Sequence, residues 1–385
     1  MNRKKIAFCV LGILLIAAAF YGVYLGWVKH DMSDFGVCIK NGKRIVDGET
    51  LYPGEEIDKH LQFKYAPVSA LFYAPLSRLP VETAKIIWYY LELILLFAVF
   101  WISYRLLPSR GAGPWFVMGL SLLVFLKYIG REIELGQVNI LIIFLLITML
   151  ALSMKEKDLW AGGLWGISLI FKPYALVFLP YFILRKRFKL VASGLAVLFA
   201  GMLLPALFYG FAGNLTVLKE WALTLSKSTP GLMIVVDNAS FYSFLTKALP
   251  GHPENVAKVL WLAFGLCAAV LFLWMMGQAK KRSIKKPEIL EAAFLMILIP
   301  IFSPLGWFYN YLYGVLAVVL LMNFLPKLPP SWKTVLIVDF IMIGASLREI
   351  LGKTLFRFYN YNSLMAINFL VILGALAYVR AKRIA

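Results

Sequence analysis

Four stretches of this sequence set ionisable and amide side chains beside apolar runs. The first reads Lys29-His30-Asp31-Met32-Ser33-Asp34-Phe35 and continues through Asp47-Gly48-Glu49-Thr50-Leu51-Tyr52-Pro53 to Phe63-Lys64-Tyr65-Ala66-Pro67. Asp31 and Asp34 fall just past the first apolar run, at the level of lipid headgroups. Partial desolvation there raises a carboxylate toward the pKa of a general base, although the same spacing suits a solvated acidic loop. The second stretch, Lys127 to Asn139, holds Arg131, Glu132, Glu134, Gln137 and Asn139 at the mouth of two helices, with Gly136 letting the backbone turn. Such groups orient a sugar by hydrogen bonding, or else cap helices and pair Arg131 with Glu132 or Glu134. In the third, Lys172 precedes Pro173 between two apolar pieces. An ammonium there is costly unless it snorkels or meets a partner, of which a lipid phosphate is the obvious one. The fourth, Phe302 to Tyr311, is broken by Pro304 and Gly306, and its aromatics, Trp307 among them, suit a sugar ring or an interfacial belt. Glu92 and Asp339 lie inside apolar runs, where bundle-interior hydrogen bonding and function explain them equally well.

The elements that position these groups follow from composition. The chain has 385 residues, 61% hydrophobic and 15% charged, with a mean hydropathy of +0.79. Soluble domains run at about 45–50% apolar and about 25% charged, so lipid is the main solvent here. No polar linker divides the apolar runs, and residues 1–385 read as a single polytopic membrane domain. Runs of spanning character lie near 6–27, 81–104, 113–128, 138–154, 159–171, 174–184, 190–210, 256–277, 289–303, 309–325, 332–347 and 363–379. The pieces at 66–77 and 174–184 each carry two prolines and read as broken or tilted helices. The run at 6–27 is longer than a signal h-region of about 7–15 residues and reads as an uncleaved first helix.

A net charge of +19 would suggest nucleic acid in a soluble protein. Here the basic residues cluster beside apolar runs, as in Arg185-Lys186-Arg187 and Lys280-Lys281-Arg282. By the positive-inside rule these connections are cytoplasmic, both termini lie inside, and the long loops near 28–65 and 211–255 face the exterior. The expected location is the bacterial cytoplasmic membrane, with the chemistry on its outer face and no nucleic acid involved. Cys9, Cys38 and Cys267 are widely spaced, as are His30, His60 and His252, so neither a disulfide framework nor a metal site is indicated. There is no GxxxxGK[ST] and no GxGxxG after a strand, and no cofactor is expected. An exterior enzyme without nucleotide access needs a substrate activated in another way, such as one attached to a lipid phosphate.

The order of these segments resembles glycosyltransferase family 87, the polyprenyl-phosphate-sugar-dependent transferases of the GT-C superfamily. The resemblance rests on Asp34-Phe35 with Gly48-Glu49-Thr50-Leu51-Tyr52, on Tyr65-Ala66-Pro67-Val68 through Ala74-Pro75-Leu76, on Gly136-Gln137-Val138-Asn139, and on Phe171-Lys172-Pro173-Tyr174 ahead of Arg185-Lys186-Arg187. Asp237-Asn238-Ala239-Ser240 and Ser303-Pro304-Leu305-Gly306-Trp307 follow in family order. It implies an all-α, GT-C-like bundle of about 11–12 transmembrane helices, some broken or re-entrant. It also implies an exterior active site in which a first-loop aspartate acts as base; Asp34 occupies the matching position and Asp31 is the fallback. The family often has Tyr-Pro-Pro where this chain has Tyr65-Ala66-Pro67, and a histidine where it has Asn310.

On that resemblance the expected reaction moves a hexose such as mannose, with inversion, from a polyprenyl-phosphate donor to an exterior glycolipid or glycan. Lys172, with Arg131 or Lys64 beside it, would meet the donor phosphate. Glu132, Glu134, Gln137, Asn139, Asn238, Trp307 and Asn310 would bind sugar or acceptor, and no metal takes part. Two rivals remain. A secondary transporter or lipid-sugar flippase would show paired broken helices in an internal repeat, which this chain lacks around 66–77 and 174–184. A polysaccharide polymerase or ligase would share the topology and consume an oligosaccharide on a diphosphate carrier.

Overall fold

The computed structural model describes residues 3–54, 61–233, 235–249, 251 and 254–384. His60, His252 and the acidic Glu55, Glu56 and Asp58 lie outside the described residues. Within them the chain is all-helical, with no strand. Four helices open it: α1 (Arg3–Gly26), α2 (Ser33–Val46), α3 (Pro67–Ser77) and α4 (Val81–Leu106). Next come α5 (Pro114–Leu135), α6 (Asn139–Ser153), α7 (Asp158–Phe171), α8 (Phe178–Leu184), α9 (Phe188–Leu203) and α10 (Ala206–Leu232). The remainder is α11 (Phe241–Ala248), α12 (Glu254–Lys281), α13 (Glu288–Phe302), α14 (Val315–Phe324), α15 (Pro330–Gly344), α16 (Arg348–Tyr361) and α17 (Met365–Lys382).

Four helical stretches are long and apolar enough to cross a membrane alone: Val81–Leu106, Asn255–Lys281, Phe308–Lys327 and Met365–Lys382. The count rises to six if two bent pairs, α5 with α6 at 118° and α9 with α10 at 93°, each form one span. Most other apolar runs become helices of 7–16 residues. At about 1.5 Å per residue these fall short of a hydrocarbon core about 30 Å thick. The expected 11–12 crossings are therefore not matched by that many helices of spanning length. What the sequence does give correctly is an all-helical chain with broken segments.

Three connections expected as loops contain helix. The segment expected as the first exterior loop includes α2, whose buried Phe35, Cys38, Gly42 and Ile45 recur at helical spacing. Gly42 lets α2 lie directly on α3, since a Cβ there would come within 2.8 Å of the Tyr73 carbonyl carbon. The polar stretch from Lys127 to Leu135 is the end of α5, leaving only Gly136 to Val138 as a turn. Likewise the segment after 210 opens with the long arm of α10, which breaks at Gly210 (φ 68, ψ 171).

The centre of the bundle is α13, buried from Ile289 to Ile301, with α14, buried over nearly its whole length. A helix apolar all round belongs inside rather than at an interface. Its one buried charge, Glu291, is bonded by Arg185, accepts from Tyr181 Oη at 3.0 Å and lies 3.7 Å from Arg380. This cluster ties α8, α13 and α17 together, and losing one partner would strand a buried charge. Asp339 meets the hydrogen-bonding expectation for an acidic residue within a bundle. It accepts from Asn368 Nδ2 at 2.7 Å, and Tyr359 Oη donates to Asn368 Oδ1 at 2.7 Å. Glu92 is fully buried too, with neither carboxylate oxygen hydrogen-bonded among the described residues.

Candidate active site

Asp34 sits in the first turn of α2, half-buried. Its neighbour in space, Gln137, comes from 103 residues further on, and Gln137 Nε2 donates to Asp34 Oδ2. Local chemistry at two breaks builds this meeting. At the end of α5, Gly136 takes the left-handed conformation (φ 64, ψ 45). Gly136 N donates to the Ile133 carbonyl at 3.0 Å and Gln137 N to the Glu132 carbonyl at 3.0 Å. That pair of bonds is a Schellman ending, which favours glycine at its left-handed position. Glycine is also required by space, because a Cβ at 136 would lie 2.6 Å from Phe35 Cβ. The start of α2 and the turn after α5 thus touch through the absence of a side chain.

The second break presents Lys172. Proline disfavours the helical conformation in the residue before it, so α7 stops at Phe171 and Lys172 is extended (φ −146, ψ 132) ahead of Pro173. Lys172 Nζ donates to Asn139 Oδ1 at 2.9 Å and to Gln137 Oε1 at 3.3 Å. The rings of Tyr65 and Tyr174 each stand 5.7 Å from this ammonium, close enough for a cation–π contribution. Tyr65 Oη also donates to Gln137 Oε1 at 3.3 Å, and Gln137 Nε2 lies 3.4 Å from Tyr309 Oη. Asp34, Gln137, Asn139 and Lys172 therefore form one hydrogen-bonded array enclosed by tyrosines.

Burial pushes Asp34 above the ordinary carboxylate range, against the hydrogen bond from Gln137 and the charge of Lys172, which pull the other way. Lys64 is half-buried and shifted in the opposite sense: burial lowers its ammonium, and the charge of Asp34 acts to restore it. A carboxylate tuned toward neutrality is thus joined through Gln137 to the Lys172 ammonium, with the Lys64 ammonium near enough to feel its charge.

The other sequence candidates occupy different positions. Glu132 is fully buried and accepts from Asn139 N at 2.6 Å, Ile140 N at 3.2 Å and Asn139 Nδ2 at 2.9 Å. It caps the first turn of α6 from the end of α5. Arg131, half exposed, shares its charge between Glu134 at 2.7 Å and Asp31 at 3.5 Å. Glu134 also accepts from Trp27 Nε1 at 2.9 Å, and Asp31 accepts from Ser33 N at 3.1 Å. These residues frame the entry to α2 at the rim of the array.

Asn238 uses its whole amide on backbone. Its Nδ2 donates to Leu232, Met233 and Pro304 carbonyls, and its Oδ1 accepts from Ser240 N and Gly306 N. Together with the bridge between Asn238 and Trp307, this braces 238–240 against 304–307. Asn310 is buried and donates from Nδ2 to the Leu305 carbonyl at 3.0 Å. Among the described residues, none of Asn238, Trp307 and Asn310 has a hydrogen bond to the Asp34 array. Tyr309 and Tyr313, from the same segment, do: Tyr313 Oη lies 3.4 Å from Asn139 Oδ1. The sequence flagged Phe302 to Tyr311 as aromatic without singling out Tyr309, and Tyr313 lies just beyond that stretch; their spacing of four residues was the available signal.

An all-helical membrane chain that gathers a desolvated carboxylate, two oriented amides and two ammonium groups has the equipment of a group-transfer enzyme acting on an anionic substrate. The chain belongs to Glycosyltransferase family 87, whose signature matches residues 63–304, and it is a glycosyltransferase. Lys64, Gln137, Asn139 and Lys172 fall inside the matched region, and Asp34 precedes it. The chain is similar to the polyprenol-phosphate-mannose-dependent alpha-(1-2)-phosphatidylinositol mannoside mannosyltransferase of Mycobacterium tuberculosis, with 24% identity over 346 residues, 83% of this chain and 77% of that protein. A protein of the same description from Mycolicibacterium smegmatis is 22% identical over 333 residues, 80% of this chain and 74% of its own length. No solved structure matches the chain.

Proposed function

We propose that this glycosyltransferase takes a hexose such as mannose from a polyprenyl-phosphate donor and transfers it, with inversion, to a glycolipid or glycan acceptor. The reaction takes place at the exterior face of the bacterial cytoplasmic membrane. The observation that carries this reading is the single residue Gln137, bonded to Asp34 through its nitrogen and to Lys172 through its oxygen. A base and a phosphate-binding cation thereby stand on either side of one amide. The donor class is supported by both mannosyltransferase relatives, whose descriptions name polyprenol-phosphate-mannose.

In this mechanism Asp34 takes the proton of the acceptor hydroxyl as that oxygen forms its bond to the anomeric carbon. The bond from that carbon to the phosphate oxygen breaks through an oxocarbenium-like transition state. The phosphate leaves with the bonding pair as a lipid monophosphate and needs no proton, so one carboxylate suffices. Lys172, with Lys64 near Asp34, stabilises the charge that grows on the leaving phosphate. Desolvation of Asp34 favours its neutral form and so strengthens it as a proton acceptor. Mass spectrometry of the released lipid tests the reading: a polyprenyl monophosphate appearing with turnover supports it, and a diphosphate product points instead to a polymerase or ligase.

A further inference from the structure

We infer that Glu132 is a positioning residue for the donor phosphate, acting through Asn139 on Lys172; the inference rests on the donor reading above. The ammonium of Lys172 lies between two amide oxygens, Asn139 Oδ1 at 2.9 Å and Gln137 Oε1 at 3.3 Å. An amide presents an acceptor on one side and two donors on the other, so each must be held the right way round to face an ammonium. Gln137 is held by giving its nitrogen to Asp34. Asn139 is held by giving Nδ2 to Glu132 Oε2 at 2.9 Å. Glu132 cannot easily rotate away, because Oε1 accepts from the backbone of Asn139 at 2.6 Å and of Ile140 at 3.2 Å.

The array therefore runs Asp34, Gln137, Lys172, Asn139, Glu132, with a carboxylate at each end and one amide between each carboxylate and the ammonium. Tyr313 Oη, 3.4 Å from Asn139 Oδ1, supports the inner arm from a separate element. Glu132 is fully buried and has no surface left for substrate. Its three N–H donors are all on Asn139 and Ile140, so its influence passes to the site through Asn139. A long lysine chain is thereby fixed in one place before an anion arrives. The two amide oxygens are released when the ammonium turns to a phosphate.

The test uses the full-length protein and two readouts: binding of undecaprenyl phosphate by native mass spectrometry, and steady-state transfer. Glu132→Gln puts an NH2 group among the N–H donors and frees Asn139 to flip. Binding should weaken and donor KM rise by about tenfold or more, with kcat changed much less, the scale of leaving a buried polar group without its hydrogen-bond partner. Adding Asn139→Asp to Glu132→Gln should recover most of that loss, since a carboxylate at 139 accepts from the new amide and still faces Lys172. Asn139→Ala leaves both backbone caps of α6 in place and keeps the arm interpretable if Glu132→Gln does not fold. It should show the same weakened binding. Wild-type binding in Asn139→Ala, or a double variant no better than Glu132→Gln alone, overturns the proposal. Wild-type protein that binds undecaprenyl phosphate yet transfers no sugar contradicts the proposed reaction, and the binding series then decides the role of Glu132. Absence of binding by the wild type overturns both.

Discussion

Gly136→Ala perturbs the close approach between the turn after α5 and the start of α2, and Gly48→Ala is its control. Both glycines are left-handed, at φ +64 and +70. A Cβ in that conformation costs about 1–2 kcal/mol. At 48 nothing described lies within 4 Å of the new atom, so the backbone cost stands alone. At 136 the new atom lies 2.6 Å from Phe35 Cβ and 3.1 Å from Met32 Cε, and overpacking of this kind adds about 1–3 kcal/mol. Gly136→Ala should therefore lose about 2–5 kcal/mol in thermal unfolding, against about 1–2 kcal/mol for Gly48→Ala. The residues pushed aside flank Asp34, and a displacement of about 1 Å at a reacting group costs on the order of 100-fold in rate. Transfer should fall by that order in Gly136→Ala and stay near wild type in Gly48→Ala. Equal losses in the two variants would refute the idea that this close approach positions the carboxylate.

Lys172→Met should raise the KM for a lipid-phosphate donor by about 10- to 100-fold, as expected for losing a hydrogen bond to a charged group; an unchanged KM would remove Lys172 from the phosphate site. Activity needs Asp34 ionised, so it falls as pH drops through a pKa that burial has raised. The Gln137 hydrogen bond opposes that rise, so Gln137→Leu should move the acid limb of the pH–rate profile upward. A limb that stays put or moves down contradicts the assignment. In α11, Lys247 donates to the Val235 and Asn238 carbonyls at 3.0 Å each, and burial lowers its pKa from 10.5 to about 8. Between about 8 and 10.5 the unfolded chain binds the proton that the folded chain has lost, so this group makes stability rise with pH in that window. Lys247→Met should flatten that part of the curve of melting temperature against pH, and an unaltered slope would count against the shift.

Polar residues stand out in an apolar chain, and Asp34, Gln137, Asn139 and Lys172 are legible for that reason. Their joining is not, because Asp34 and Gln137 are 103 positions apart and a weak local signal cannot report a long-range contact. Hydropathy also misplaces the helix ends. It counts Lys127, Arg131, Glu132 and Glu134 as loop, whereas each has found a partner that lets α5 run on to Leu135. Lys127 bonds Ser346, Arg131 and Glu134 pair, and Glu132 caps α6. The amphipathic α2 hides in a polar loop because its lysines, arginine and asparagine offset its apolar residues along the run, while Phe35, Cys38 and Ile45 still share a face. Counting apolar runs overstates crossings, since a run of 14 or 15 residues such as α7 or α13 serves equally as a core helix. Asn238 shows the limit of motif reading: its amide is fully occupied by backbone, which the sequence pattern does not distinguish from a sugar contact.

The most direct test of the account is transfer of label from a panel of radiolabelled polyprenyl-phosphate sugars into membranes holding either the wild-type protein or its Asp34→Asn variant. The account predicts that one donor is consumed by the wild type. The variant, folded and inserted to the same level, should transfer nothing measurable. Full transfer by Asp34→Asn would remove the base from the mechanism. Consumption of no donor by the wild type would contradict the proposed reaction and turn attention to movement of lipid-linked sugars across the membrane.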